Sequence, residues 1–123
     1  MAALVALLQE KGYECVIVQG AGTMAVEAAL GTAIPREDHN VLVVCNGAYG
    51  DRMYKMTQYL GINASTVSFP ENVCADPTTV LEAVKADPTI THVAMVHHET
   101  TSGAISDIAS VGKGLREINP DIT

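Results

Sequence analysis

Three short segments combine glycines with hydroxyl, aromatic or carboxylate side chains, a combination that suits the binding of a small polar ligand. They are residues 20–23 (GAGT), 46–50 (NGAYG) and 98–103 (HETTSG). Each follows a run rich in valine, so each should begin where a β-strand ends. Because ligands of open parallel sheets bind beyond the carboxyl ends of the strands, we predict that the three segments converge on one site.

The 20–23 segment should join a strand to the N-terminus of a helix. Its glycines let a ligand approach the backbone, and the free N–H groups and the helix dipole favour an anion, most simply a phosphate. With Ala25 the segment also fits the dinucleotide pattern G-x-G-x-x-A. That pattern requires an acidic residue at the end of the next strand, where this chain has Cys45 and Asn46. A nicotinamide cofactor is therefore disfavoured, and a tight turn without a ligand is the alternative.

Tyr49 is the aromatic residue of the second segment and lies between Gly47 and Gly50. An exposed ring held in a glycine-flanked turn suits stacking on a flat ligand. The alternative is a ring folded back on its own helix, and the 46–50 segment taken alone favours that alternative.

The third segment places Glu99 and three hydroxyl side chains directly after a strand. His97, His98 and Glu99 are residue types that bind metals. Adjacent residues of a strand point to opposite faces, however, so the two histidines should not share one ion. We therefore predict no metal site.

The composition is that of one folded domain, with 48% hydrophobic and 17% charged residues in a chain of 123. A net charge of −7 and a pI near 4.8 argue against a nucleic-acid partner. No apolar run reaches the roughly 18 residues of a membrane span, and the apolar start lacks the basic leader and cleavage site of a secretory signal. Three cysteines without a CxxC spacing indicate free thiols, and we predict a cytoplasmic protein.

Helical and strand-like patterns alternate along the chain. Helices are predicted over residues 2–11, 23–30, 51–60, 78–86 and 106–118, and strands over residues 14–19, 40–45, 64–69 and 92–97. Ser106 is the predicted cap of the last helix. This order of elements predicts an α/β fold in which a mostly parallel sheet carries helices on both faces.

The segments, in this order and spacing, resemble the class V pyridoxal-phosphate-dependent aminotransferases. The resemblance rests on residues 19–29 (QGAGTMAVEAA), 46–53 (NGAYGDRM), 87–94 (DPTITHVA) and 98–103, and covers essentially the whole chain. It implies part of a three-layer α-β-α sandwich, the large domain of fold type I (aspartate aminotransferase-like) transferases. Within the family, the segments are most similar to transaminases of phosphonate catabolism. These transfer the amino group of 2-aminoethylphosphonate to pyruvate, giving phosphonoacetaldehyde and alanine.

The resemblance also implies roles for particular residues. Ala21, Gly22 and Thr23 would hold the phosphate of the cofactor, with Ala21 at a position where relatives usually carry serine. Tyr49 would stack on the pyridine ring, and Thr100 would lie near the polar edge of that ring. No residue here is assigned to catalysis, because the family's pyridinium-pairing aspartate, cofactor-attaching lysine and substrate-binding small domain all correspond to sequence beyond the end of this chain.

Residues 1–123 are therefore expected to form a single, partial cofactor domain that does not catalyse amino transfer alone and binds pyridoxal phosphate weakly or not at all. We predict a homodimer or higher self-association, because the edges of the parallel sheet would be left uncovered. Residues 14–19 should pack beside residues 92–97 or pair with a second copy. The alternative function is a small phosphate- or nucleotide-binding module that uses only residues 20–23 and has no catalytic role.

Overall fold

The computed structural model describes residues 19–123 and, in the preceding part, residues 6, 12, 16 and 17. From residue 19 onwards the elements are α1 (Gly22–Ala33), β1 (Val41–Cys45), α2 (Ala48–Tyr59), β2 (Ala64–Ser68), α3 (Pro77–Ala86), β3 (His92–Met95), β4 (His98–Glu99), β5 (Ala104–Ile105) and α4 (Ile108–Ile118). The helix predicted at 2–11 and the strand predicted at 14–19 lie for the most part outside the described residues. None of the described helices has the length and apolar character needed to cross a membrane.

The central sheet has three parallel strands in the order β2-β1-β3. Val41 lies opposite Ala64 on one side and His92 on the other, and this register continues along β1. All five residues of β1 are buried. Its unbroken run of apolar residues is typical of a strand covered on both faces. Because the strands are parallel, their carboxyl ends lie together at one edge of the sheet.

Successive side chains of β1 point to opposite faces of the sheet and contribute to two separate cores. Leu42 and Val44 pack against α3 and α4. The buried residues of those helices are Val80, Val84, Val111 and Leu115. On the opposite face, the cluster consists of Val41, Val43 and Cys45 with Leu30, Ile34, Met53 and Met56 from α1 and α2 and their ends. This arrangement is a three-layer α-β-α sandwich, and the predicted fold class is confirmed.

The two helices on the first face begin at aspartate caps. Asp76 accepts a hydrogen bond from the N–H of Thr79 at 2.9 Å. Asp107 accepts one from the N–H of Ser110 at 3.0 Å at the start of α4. The prediction of Ser106 as the cap of α4 is wrong by one residue, because the carboxylate of Asp107 satisfies the free N–H of the first turn. Ser106 is instead buried.

Two further differences from the predicted boundaries affect the site. α2 begins at Ala48 rather than at residue 51, so Tyr49 lies in its first turn. β3 ends at Met95 rather than at residue 97, and the segment predicted as a loop at 98–103 belongs to a short antiparallel hairpin of β4 and β5. Gly103, with φ of +73°, adopts the left-handed conformation between these two strands.

The outer edge of β3 is only partly covered by the described residues. The N–H of Thr123 donates to the carbonyl of Thr91 at 3.1 Å, and the N–H of Val93 donates to the carbonyl of Thr123 at 2.8 Å. These two bonds have the pattern of a parallel bridge. Further along, Met95 has no neighbouring strand on this side within the part of the chain that the structure describes.

Candidate functional site

A cavity of about 500 Å³ lies at the carboxyl ends of the strands. The structure brings all three segments of the sequence analysis to its wall. The residues predicted to bind a cofactor that line it are Ala21, Gly22, Thr23, Tyr49 and Thr100. The remaining wall is mainly apolar and comes from α1, α2, the end of β3 and the two histidines that follow it. The cavity has the size and the mixture of apolar wall and few polar groups that are typical of small-molecule sites.

The N-terminus of α1 reaches this cavity without a side-chain cap. Ala21 occupies the N-cap position with extended backbone, and its methyl group offers no hydrogen-bond acceptor. The first turn contains no acidic residue. The N–H groups at the start of a helix, here those of Gly22 and Thr23, have no intrahelical acceptor. The positive end of the helix is therefore available to an anion in the cavity.

Arg52 connects the first and second segments, a role that the sequence analysis missed. Its Nη1 donates to the hydroxyl of Thr23 at 3.3 Å. Its guanidinium carbon lies 5.0 Å from the centre of the Tyr49 ring, within the range of a cation–π contact. Tyr49 thus packs on its own helix through Arg52, and it also lines the cavity with 39% of its surface exposed. The result is a fixed positive charge beside the α1 N-terminus.

Glu99 connects the second and third segments and is also a residue whose role was missed. It is completely buried. Its Oε2 accepts from the N–H of Tyr49 at 3.2 Å, and its Oε1 accepts from the hydroxyl of Thr101 at 2.7 Å. Burial alone raises the pKa of Glu99, but hydrogen bonds from Thr101, Gly50 and Tyr49 outweigh it and hold that pKa below its usual range. The carboxylate is therefore kept ionised by N–H and O–H donors.

His97 and His98 both line the cavity. Residue 97 lies between β3 and β4 rather than within a strand, so strand alternation does not separate the two side chains as the sequence analysis assumed. Among the described residues, no group of three or more His, Cys, Asp or Glu side chains is arranged to hold a metal ion.

Fold and cavity together define an α/β domain with a candidate small-molecule site, at which the free N-terminus of α1 favours an anionic group. Over 107 residues the chain is 46% identical to 2-aminoethylphosphonate–pyruvate transaminase of Syntrophobacter fumaroxidans, which covers 87% of this chain and 29% of that protein. Over 105 residues it is 50% identical to 2-aminoethylphosphonate–pyruvate transaminase 2 of Burkholderia lata, covering 83% and 28%. No protein-family model matches the chain.

A solved structure supports the same assignment. Alanine–glyoxylate aminotransferase from Nostoc sp. superimposes with a TM-score of 0.79 at 27% identity, over 95% of this chain and 32% of that one. Over most of its length the chain is similar to aminotransferases, in agreement with the resemblance of its segments to class V. It spans less than a third of the length of the curated relatives that it matches and corresponds to a part of such an enzyme.

Proposed function

We propose that the chain forms part of the cofactor-binding domain of a pyridoxal-phosphate-dependent aminotransferase. The observation that carries this proposal is that one cavity is lined by the uncapped α1 N-terminus, Tyr49 and Thr100 together. Both curated relatives described above are named as transaminases of 2-aminoethylphosphonate and pyruvate. We therefore propose that the complete protein transfers the amino group of 2-aminoethylphosphonate to pyruvate, which yields phosphonoacetaldehyde and alanine.

The residues of the cavity fit the chemistry of this cofactor. The N–H groups of Gly22 and Thr23 and the Thr23 hydroxyl would hold the phosphate, with the guanidinium of Arg52 as a nearby positive charge. Tyr49 offers an aromatic ring for the pyridine, and Thr100 offers a hydroxyl to its polar edge. When bound, pyridoxal phosphate supplies the electron-withdrawing ring that amino transfer requires.

The described lysines are Lys55, Lys85 and Lys113, and none of them lines the cavity. We therefore propose that this chain holds the cofactor by non-covalent contacts alone and orients its phosphate and ring without attaching it. On this proposal residues 1–123 are a partial cofactor domain that binds the cofactor weakly and does not transfer amino groups by itself.

The Thr23→Val variant should weaken binding of the cofactor by roughly three- to tenfold, the effect of one lost hydrogen bond. Valine keeps the shape of threonine but removes the hydroxyl that would contact the phosphate and that now bonds Arg52. Isothermal titration calorimetry of the full chain with pyridoxine 5′-phosphate checks this. That ligand has the same ring and phosphate but no aldehyde to react with surface lysines.

Thr32→Val is the matched control, because Thr32 lies in the same helix and its exposed hydroxyl bonds only the carbonyl of Ala28, at 2.7 Å. The control should bind like the wild type. Equal affinities for the wild type and Thr23→Val would contradict the proposal that residues 20–23 bind the phosphate. Selective binding of nicotinamide or adenine nucleotides would instead support the small nucleotide-binding module.

We also propose that the chain associates with a second copy of itself. On α1, Met24 and Val26 are 52% and 40% exposed, and Leu30 is the buried residue of that helix. The outer edge of β3 adds free backbone groups at Met95, within the described residues. Exposed apolar surface and open strand edges both favour pairing with another chain.

Sedimentation velocity at several protein concentrations should therefore show a concentration-dependent dimer. Met24→Glu should shift the equilibrium towards monomer, because it places a charge on the apolar surface of α1. Val73→Glu is the control, since Val73 is 44% exposed but lies in the loop before α3. A wild-type chain that stays monomeric at all concentrations and unfolds cooperatively would contradict self-association.

A further inference from the structure

Glu99 is the one charged residue among the buried side chains of the described part of the chain. Its two oxygens bond to different segments. Oε2 accepts from the N–H of Tyr49 in the first turn of α2, whereas Oε1 accepts from both the N–H and the hydroxyl of Thr101, at 3.3 and 2.7 Å. One carboxylate therefore joins two segments that are 50 residues apart in the sequence.

The bonds to α2 replace an ordinary helix cap. Gly47 occupies the N-cap position and makes no side-chain cap. The N–H of Tyr49, which an N-cap side chain could satisfy, instead donates to Glu99. A Cβ at residue 47 would lie 2.6 Å from Cγ of Glu99, so glycine at this position leaves the room that the distant carboxylate occupies.

We propose that Glu99 is a positioning residue that fixes Tyr49 and Thr100 relative to each other at the candidate cofactor site. The roles of Tyr49 and Thr100 rest on the proposed function, whereas the connection between their segments rests on the contacts of Glu99 alone. Glu99 does not line the cavity, so it acts through the backbone of its neighbours. Removing the carboxylate would leave the N–H of Tyr49 and the N–H and hydroxyl of Thr101 without this acceptor, and with it the direct bond between the two segments.

The Glu99→Gln variant of the full chain tests this role. Glutamine keeps the size of the side chain but replaces one accepting oxygen with an NH₂ group, so either Tyr49 or Thr101 loses its acceptor and the other faces a neutral oxygen in place of a carboxylate. Two-dimensional ¹⁵N NMR should show shifted amide signals at both Tyr49 and Thr101. The affinity for pyridoxine 5′-phosphate should fall roughly tenfold, measured at a temperature where both proteins are fully folded.

Glu82→Gln is the matched control, because it removes the same charge from an exposed position on α3. It should leave both amide signals and the affinity unchanged. Loss of stability in Glu99→Gln with unchanged affinity would reduce Glu99 to a structural residue and overturn the proposal. Unchanged amide signals at Tyr49 or Thr101 would overturn it as well.

A less disruptive variant keeps the proposal testable if Glu99→Gln does not fold. Thr101→Val removes only the hydroxyl bond to Oε1, at an exposed residue. If Glu99 transmits position between the segments, this change should shift the amide signal of Tyr49, and an unshifted signal would contradict the proposal. The amide signals are measured on the protein without ligand, so they do not depend on the proposed function. Failure of the wild type to bind pyridoxine 5′-phosphate would therefore count against the proposed function alone. The amide shifts of the variants would still test the role of Glu99.

Discussion

The Gly50→Ala variant should unfold more easily than the wild type, with a free energy of unfolding lower by about 1–3 kcal/mol. A Cβ at residue 50 would lie 2.8 Å from the Cα of Cys45 and 3.0 Å from the carbonyl oxygen of Val44. These are backbone atoms of β1, which is paired on both sides and cannot give way locally. The first turn of α2 would have to move off the sheet instead. Urea unfolding followed by circular dichroism measures the effect.

Gly112→Ala separates this packing effect from helix propensity. Gly112 lies within α4, and no atom would come within 4 Å of an added Cβ. Alanine there should raise the free energy of unfolding by about 0.5–1 kcal/mol, because glycine is the poorer helix former. The two glycine-to-alanine changes should therefore have opposite signs. A Gly50→Ala variant as stable as the wild type would show that α2 does not pack on β1 as closely as described.

The layers of the fold could be predicted because buried positions recur at regular intervals in the sequence and are occupied by apolar residues. The unbroken apolar run of β1 predicts a strand covered on both faces, and the structure buries all five of its residues. The ends of elements were less predictable, since they depend on single side chains. α4 begins one residue later than Ser106 would place it, because the Asp107 carboxylate accepts from the N–H of Ser110 and caps the first turn. The β4–β5 hairpin pairs only two residues on each strand, too few to show alternation.

The residues lining the cavity were identifiable from glycines and polar groups at strand ends, but the residues that connect them were not. Arg52 contacts Tyr49 because the two residues are three positions apart in one helix. Side chains at that spacing lie side by side only where the backbone is helical. α2 had been predicted to begin after Tyr49. The partner of Glu99 in α2 lies 50 residues away, and no local pattern encodes such an approach.

The double variant Gly47→Ala/Glu99→Ala should lose less stability than the sum of the two single variants. A Cβ at residue 47 would lie 2.6 and 2.7 Å from Cγ and Cδ of Glu99, so Gly47→Ala alone should cost about 1–3 kcal/mol. Glu99→Ala alone should cost about as much, because it leaves the N–H of Tyr49 and both donors of Thr101 without their acceptor. Once Glu99 is truncated to alanine, the Cγ and Cδ atoms that would clash with the Cβ of Ala at residue 47 are gone. The coupling between the two sites should therefore reach at least about 1 kcal/mol, and additive losses would contradict the close contact.

Gly47→Ser in the Glu99→Ala background then separates two roles of the carboxylate, which are capping α2 and joining α2 to the segment of Thr101. Serine at the N-cap can accept from a free N–H group of α2, so the free energy of unfolding should recover by a few tenths of a kcal/mol, roughly the difference between serine and glycine at an N-cap. It cannot reach Thr101 as well, because its hydroxyl is too short to span both segments. The affinity for pyridoxine 5′-phosphate and the amide signal of Thr101 should therefore stay as they are in Glu99→Ala. If affinity returned together with stability, Glu99 would only cap α2, since a local cap would then do everything that the distant carboxylate does.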